Sequence, residues 1–170
     1  MKKNHWIKVI SIWLFYVALH FTYKIAPCDL TQLFGCPVET IFHHMKMAFL
    51  SYSLISIVEY FIRKPKKLTT FISTRMISAI LFSYFSFVIW FILPVIFGPI
   101  EVEWFEVVYS NIILALSLGA TIYLESFIEK VSFNKAITIV VSILFLIILT
   151  VFVISAYQTP HIGVFTPHGH

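Results

Sequence analysis

Cysteine is scarce in this chain, with two in 170 residues. That excludes a disulfide framework or a four-thiolate zinc ribbon as the basis of the fold. Charge is scarce as well: Asp, Glu, Lys and Arg together make up 12% of residues, about half the share of an ordinary soluble domain. A water-facing polar shell is therefore excluded. A phosphate-cradling glycine loop, a Ser-His-Asp order and a paired-aspartate protease signature are all missing, so standard NTPase and hydrolase chemistry has no support. What the chain has instead is apolar surface. It is 59% hydrophobic and 18% aromatic, with a mean hydropathy of +0.92, and lipid must be the solvent for most of its side chains.

The apolar residues fall into five runs, each long enough to cross ~30 Å of hydrocarbon as a helix. They cover residues 6–26, 38–62, 71–97, 104–127 and 136–157. The first resembles a signal peptide only superficially, because no small-residue cleavage site follows it and Pro27-Cys28-Asp29 begins a turn. Pro37 suits the start of the second helix, and the basic cluster Arg63-Lys64-Pro65-Lys66-Lys67 ends it. Pro94 predicts a kink or an early stop in the third. The fifth is the most purely apolar and suits a lipid-facing position or a dimer contact. From Gln158 the chain is polar and turn-rich, with Thr159-Pro160-His161 echoed by Thr166-Pro167-His168. The expectation is one all-α domain, a bundle of five transmembrane helices in the cell membrane.

Charge sidedness orients the bundle. Of the 12 basic residues, all but Lys24 and Lys46 lie at one set of helix ends, and the positive-inside rule places that set, with the N-terminus, in the cytoplasm. Five spans then leave the C-terminus outside. The basic balance thus reports topology and contact with anionic lipid, and nucleic acid is not an expected partner.

The same topology gathers chemistry in the outer half. In Val38-Glu39-Thr40-Ile41-Phe42-His43-His44-Met45-Lys46-Met47 the second helix opens with four ionisable residues, groups that are costly in a bilayer and kept there for function. If the helix begins at Val38, then Glu39, His43 and Lys46 share one face and His44 lies about 100° from His43. His20 and His43 each fall roughly 9 Å below the outer boundary, and Asn111 lies near the same level. Trp13, Tyr16, His20 and Tyr23 form an aromatic stripe at helical spacing. A polar pocket walled by the first, second and fourth helices and covered by the tail follows, with His20, Glu39, His43, His44, Lys46 and Asn111 as its binding residues.

Three chemistries fit those residue types. Glu39, His43 and His44, completed by His20 or by His161 of the tail, supply the oxygen and nitrogen ligands that zinc or another divalent transition metal prefers. Lys46 then serves as an outer cation or a substrate anchor. Without metal, Glu39, His43 and Lys46 form a proton relay or a carboxylate clamp. The third is haem, with His20 and His44 as axial ligands. Against all three stands the plainer reading that His43 and His44 sit at the interface and Glu39 occupies the helix N-terminus favoured by the dipole.

The run Val38 to Lys46, followed by an apolar stretch to Glu59-Tyr60, resembles the pattern Asn-Glu-Ser-Ile-Trp-Glu-His-Met-Lys of a family of small bacterial and archaeal integral-membrane proteins of unknown function. The segment from Gln158 to Phe165 is similar to that family's closing segment. The resemblance carries over Glu39, His44 and Lys46. It departs at Val38, Phe42 and His43, where an imidazole replaces the family's second carboxylate. The family implies membrane insertion and supplies no activity.

Cys28 and Cys36 lie in an outer loop that permits oxidation, so a disulfide and two free thiols are both open. Glu59 and Arg63 read as an i,i+4 snorkelling anchor, and Glu125, Glu129 and Lys130 read likewise. Asn111 with Ser110, Ser117 and Thr121 suits helix-to-helix bonding. The functional expectation is a binder or carrier of a metal ion or small ligand, which as a carrier would need to form a homo-oligomer. The alternative is a metal-dependent enzyme acting on a lipid or amphiphile, and the third reading is an accessory subunit of a membrane complex.

Overall fold

The computed structural model describes residues 3–98, 100 and 102–158. Glu101 and the tail histidines, including the expected ligand His161, lie outside the described residues. The elements in chain order are α1 (Lys3–Ile25), α2 (Asp29–Phe34), α3 (Ile41–Arg63), α4 (Leu68–Phe97), α5 (Glu103–Ile128) and α6 (Lys135–Tyr157), with no strand among the described residues. All but α2 are long and apolar enough to cross a membrane. Helices prevail because a lipid-exposed backbone must satisfy its own N–H and C=O groups.

Local chemistry sets the ends. Asn134 caps α6 by accepting from the Ile137 amide at 2.9 Å, and Thr40 caps α3 by accepting from the His43 amide at 3.2 Å. The second span therefore begins at Ile41, and Glu39 precedes its extended Thr40 cap, not inside the helix as expected. Of the kink or early stop expected at Pro94, the stop does not occur, since α4 runs on to Phe97, the end expected for this span. Proline deprives the Trp90 carbonyl of its helical donor, and the Tyr109 hydroxyl of α5 donates to that carbonyl at 2.9 Å.

Helix α4 packs on α3, α5 and α6, while α1 lies against α3 and α5. Ile12, Met47, Phe49, Tyr52, Phe82 and Leu118 are wholly buried between them. Between lipid-bathed helices such packing gains little from water exclusion, so close contact and polar links hold the bundle. Helix α6 turns Ile139, Val140, Ile143 and Ile147 outward, in keeping with a lipid-facing position. Thr121 bonds back to Ser117 of its own helix at 2.8 Å, so that hydroxyl does not reach a neighbour.

The basic end holds a feature that reading each helix alone does not reveal. Arg75 of α4, only 4% exposed, contacts Glu59 of α3 at 2.7 Å, Glu125 of α5 at 3.0 Å and Glu129 at 2.6 Å. Lys8 of α1 reaches Glu59 at 2.9 Å and Glu125 at 2.7 Å. Arg63 does pair with Glu59 at 2.7 Å and also reaches Glu129 at 3.2 Å. Tyr52 donates to Glu125 at 2.5 Å. Three cations and three carboxylates thus balance at this end of the bundle, from the buried Arg75 out to the half-exposed Arg63, and tie α1, α3, α4 and α5 together, which is more than a pair of interfacial anchors.

Candidate metal and ligand pocket

At the other end of the bundle, the connection between α1 and α3 brings a loop against α1. The six-residue α2 folds back so that Gly35 meets the α1 backbone: a Cβ there would lie 2.5 Å from Thr22 Oγ1, 2.8 Å from the Thr31 carbonyl oxygen and 3.0 Å from that of Leu19. Only glycine fits this approach. It carries Cys36 into a buried position and leads to Glu39 beside the end of α1.

Four potential ligand atoms converge there. The donors of His20 (α1), Cys36, Glu39 and His44 (α3) all lie within 4.8 Å of one another. Glu39 is the hub, with Oε1 at 3.5 Å from His20 Nε2, and Oε2 at 3.4 Å from His44 Nε2 and 3.6 Å from Cys36 Sγ. A tetrahedral shell with bonds of ~2.0–2.3 Å spaces its ligands by about 3.3–3.8 Å, so the distances from Glu39 already match zinc, while donors as far apart as 4.8 Å would have to close by about 1 Å. Tyr16 Oη lies 2.8 Å from His44 Nδ1, which orients the ring and leaves Nε2 to face Glu39. Such outer partners commonly fix a ligating imidazole. Lys24 donates to Glu39 Oε1 at 2.9 Å and would have to release it to a metal.

The charges respond to this setting. Hydrogen bonding to His44 holds the Glu39 carboxyl well below the usual carboxylate range, against the opposing pull of partial burial, with Lys24 and His20 acting in the same sense. Burial pushes the Cys36 thiol up to about 12, and the Glu39 charge adds to that. The thiol is thus protonated at neutral pH until something replaces its proton.

The cluster opens onto a cavity of about 650 Å³. Its walls include Trp13, Tyr16, Phe87 and Trp90, with polar groups from Ser86, Ser110, Glu106 and Asn111. Helices α1 and α5 supply most of the lining, and α4 and the start of α3 add to it. A wall from α4 goes beyond the expectation of the first, second and fourth spans.

Of the expected binding residues, His20, Glu39, His44 and Asn111 line this cavity, and His43 and Lys46 do not. His43 is wholly buried with Nδ1 2.7 Å from Thr40 Oγ1, and Lys46, also wholly buried, donates to the Gln32 carbonyl at 2.9 Å. The shared face required Glu39 to be helical, and it is not. With Glu39 outside the helix, it is His44, turned toward α1, that meets the carboxylate. His20 and His44 stack at 5.5 Å between centroids and 14° between planes, whereas axial haem ligands point at one iron from opposite sides of a porphyrin. Cys28 and Cys36 are free thiols, one exposed and one buried. Helix α2 separates them by ~9 Å along its axis, beyond the reach of a disulfide. Cys36 and Lys24 are the participants that sequence reasoning missed. Lys24 stands one helical turn beyond His20, which is the one signal that pointed to it.

No protein-family model matches the chain, and no curated protein or solved structure matches it.

Proposed function

We propose that this multi-pass membrane protein binds a divalent transition-metal ion of the zinc class through His20, Cys36, Glu39 and His44, with the cavity as the approach to the ion. The observation that carries the reading is the convergence of two imidazoles, a carboxylate and a thiol, drawn from two helices and the connection between them, within 4.8 Å. The mixed nitrogen, oxygen and sulfur set is the one zinc takes, while an all-oxygen shell would suit calcium or magnesium. The sidedness of the basic residues supports an orientation with this pocket toward the exterior, as suits a binder or carrier.

Zinc-loaded and desalted protein in detergent tests it. The expected content is about one ion per chain, falling to background in His20→Ala, Glu39→Ala and His44→Ala and persisting in His43→Ala. Uptake rises with pH, because the Cys36 proton leaves on binding. Background zinc in the parent protein, or equal loss in His43→Ala, overturns the assignment.

A second reading has its own observation. A cavity of about 650 Å³ with aromatic walls is far larger than an ion requires and falls in the range of organic-ligand sites. It favours a membrane enzyme in which the metal acts on an amphiphile. Turnover of a lipid by the zinc-loaded protein, lost in the same three variants, would select this reading over the carrier.

A further inference from the structure

On its lipid side the cavity adjoins a second recess, an open groove of about 590 Å³ walled by Val107, Val108, Ile112 and Ala115. The two share Trp13, Val107 and Asn111. Trp13 Nε1 donates to Asn111 Oδ1 at 3.3 Å, beyond the usual range of such bonds, and this contact between α1 and α5 stands at their junction. The groove is apolar enough for an acyl chain, and the inner cavity is polar.

The charges inside are unequal. Lys24, Glu39 and Glu106 line the cavity, and the Lys24 ammonium is engaged by Glu39 at 2.9 Å. No described residue pairs with the half-buried carboxylate of Glu106, which faces the space that Trp13, Phe87 and Trp90 also line. A lone carboxylate among aromatic faces attracts an organic cation twice over, by charge and by ring quadrupole. An anionic headgroup would meet Glu106 and find the one ammonium already taken.

We propose that an amphiphile with a cationic amine headgroup binds here, its chain in the α1/α5 groove and its amine beside Glu106, having passed the Trp13–Asn111 contact from the bilayer. This rests on the cavity being a ligand site but not on the metal, so the two are tested apart.

The probes are phosphatidylethanolamine and phosphatidylglycerol of identical acyl chains, which share the phosphate and differ in the amine. Full-length protein in dodecyl maltoside, treated with EDTA, is offered equal amounts of both, and retained lipid is counted by native mass spectrometry. The expected result is an excess of about fivefold for the amine lipid. Glu106→Gln abolishes the excess, Glu106→Lys reverses it, and Ala115→Trp, which fills the groove, lowers retention of both lipids. Equal retention in the parent protein, an excess of phosphatidylglycerol, or an excess that survives Glu106→Gln overturns the proposal. Zinc content of untreated aliquots reports separately on the metal site, so either assignment can fail alone.

Discussion

Replacing Arg75 by methionine removes the cation that three carboxylates share. Its guanidinium sits 2.6–3.0 Å from Glu59, Glu125 and Glu129 and is 4% exposed, so water cannot take its place. Removing one partner of a buried pair costs about 3–5 kcal/mol, chiefly from the charge left behind. Lys8 remains beside Glu59 and Glu125 at 2.9 and 2.7 Å, which places Arg75→Met near the low end, about 3 kcal/mol. At ~2–4 °C per kcal/mol for a chain of this size, the midpoint falls by about 6–12 °C. Tryptophan fluorescence during heating in dodecyl maltoside reads this directly. A second substitution, Glu125→Gln, restores charge balance and should recover at least half of the loss. If Arg75→Met shifts the midpoint no more than Lys66→Met at an exposed position, or if the double variant is less stable than the single, the network is not what ties the basic end together.

Gly35→Ala forces a Cβ against the Leu19 and Thr31 carbonyl oxygens. It should cost about 1–3 kcal/mol and weaken zinc binding as Cys36 and Glu39 are pushed from α1, read by thermal unfolding and by zinc titration. Because bonding to His44 depresses the Glu39 carboxyl in the folded state, its stabilisation is present above the unfolded carboxylate value and is lost as pH falls below about 4.3. Stability measured across that range should lose part of its acid slope in Glu39→Gln, and an unchanged slope would refute the assignment. The two thiols should differ in alkylation at neutral pH. Cys28 is exposed and its thiol is lowered by the hydrogen bond to Thr31, whereas burial raises Cys36 to about 12. Iodoacetamide followed by peptide mass mapping should therefore mark Cys28 first, and equal labelling would count against the buried position of Cys36.

What the sequence by itself determined is the set of five spans, because hydropathy over about 20 residues is a property of the chain alone and the ends α1 to α6 reach differ from it by a few residues. It also singled out His20, Glu39, His44 and Asn111, since polar groups in apolar runs stand out wherever they fold. The tertiary structure decided which of them meet. One cap at Thr40 moved Glu39 off the helix, so of the two imidazoles expected beside it only His44 meets it, and Lys46 went to the Gln32 carbonyl. The short α2 was hidden in a loop-like composition, and with it the close approach at Gly35 that brings in Cys36. Lys8 meets Glu125 across 117 residues, a pairing that neither helix announces. Burial of apolar runs follows from composition, whereas the meeting of charges depends on where helices start and how they pack.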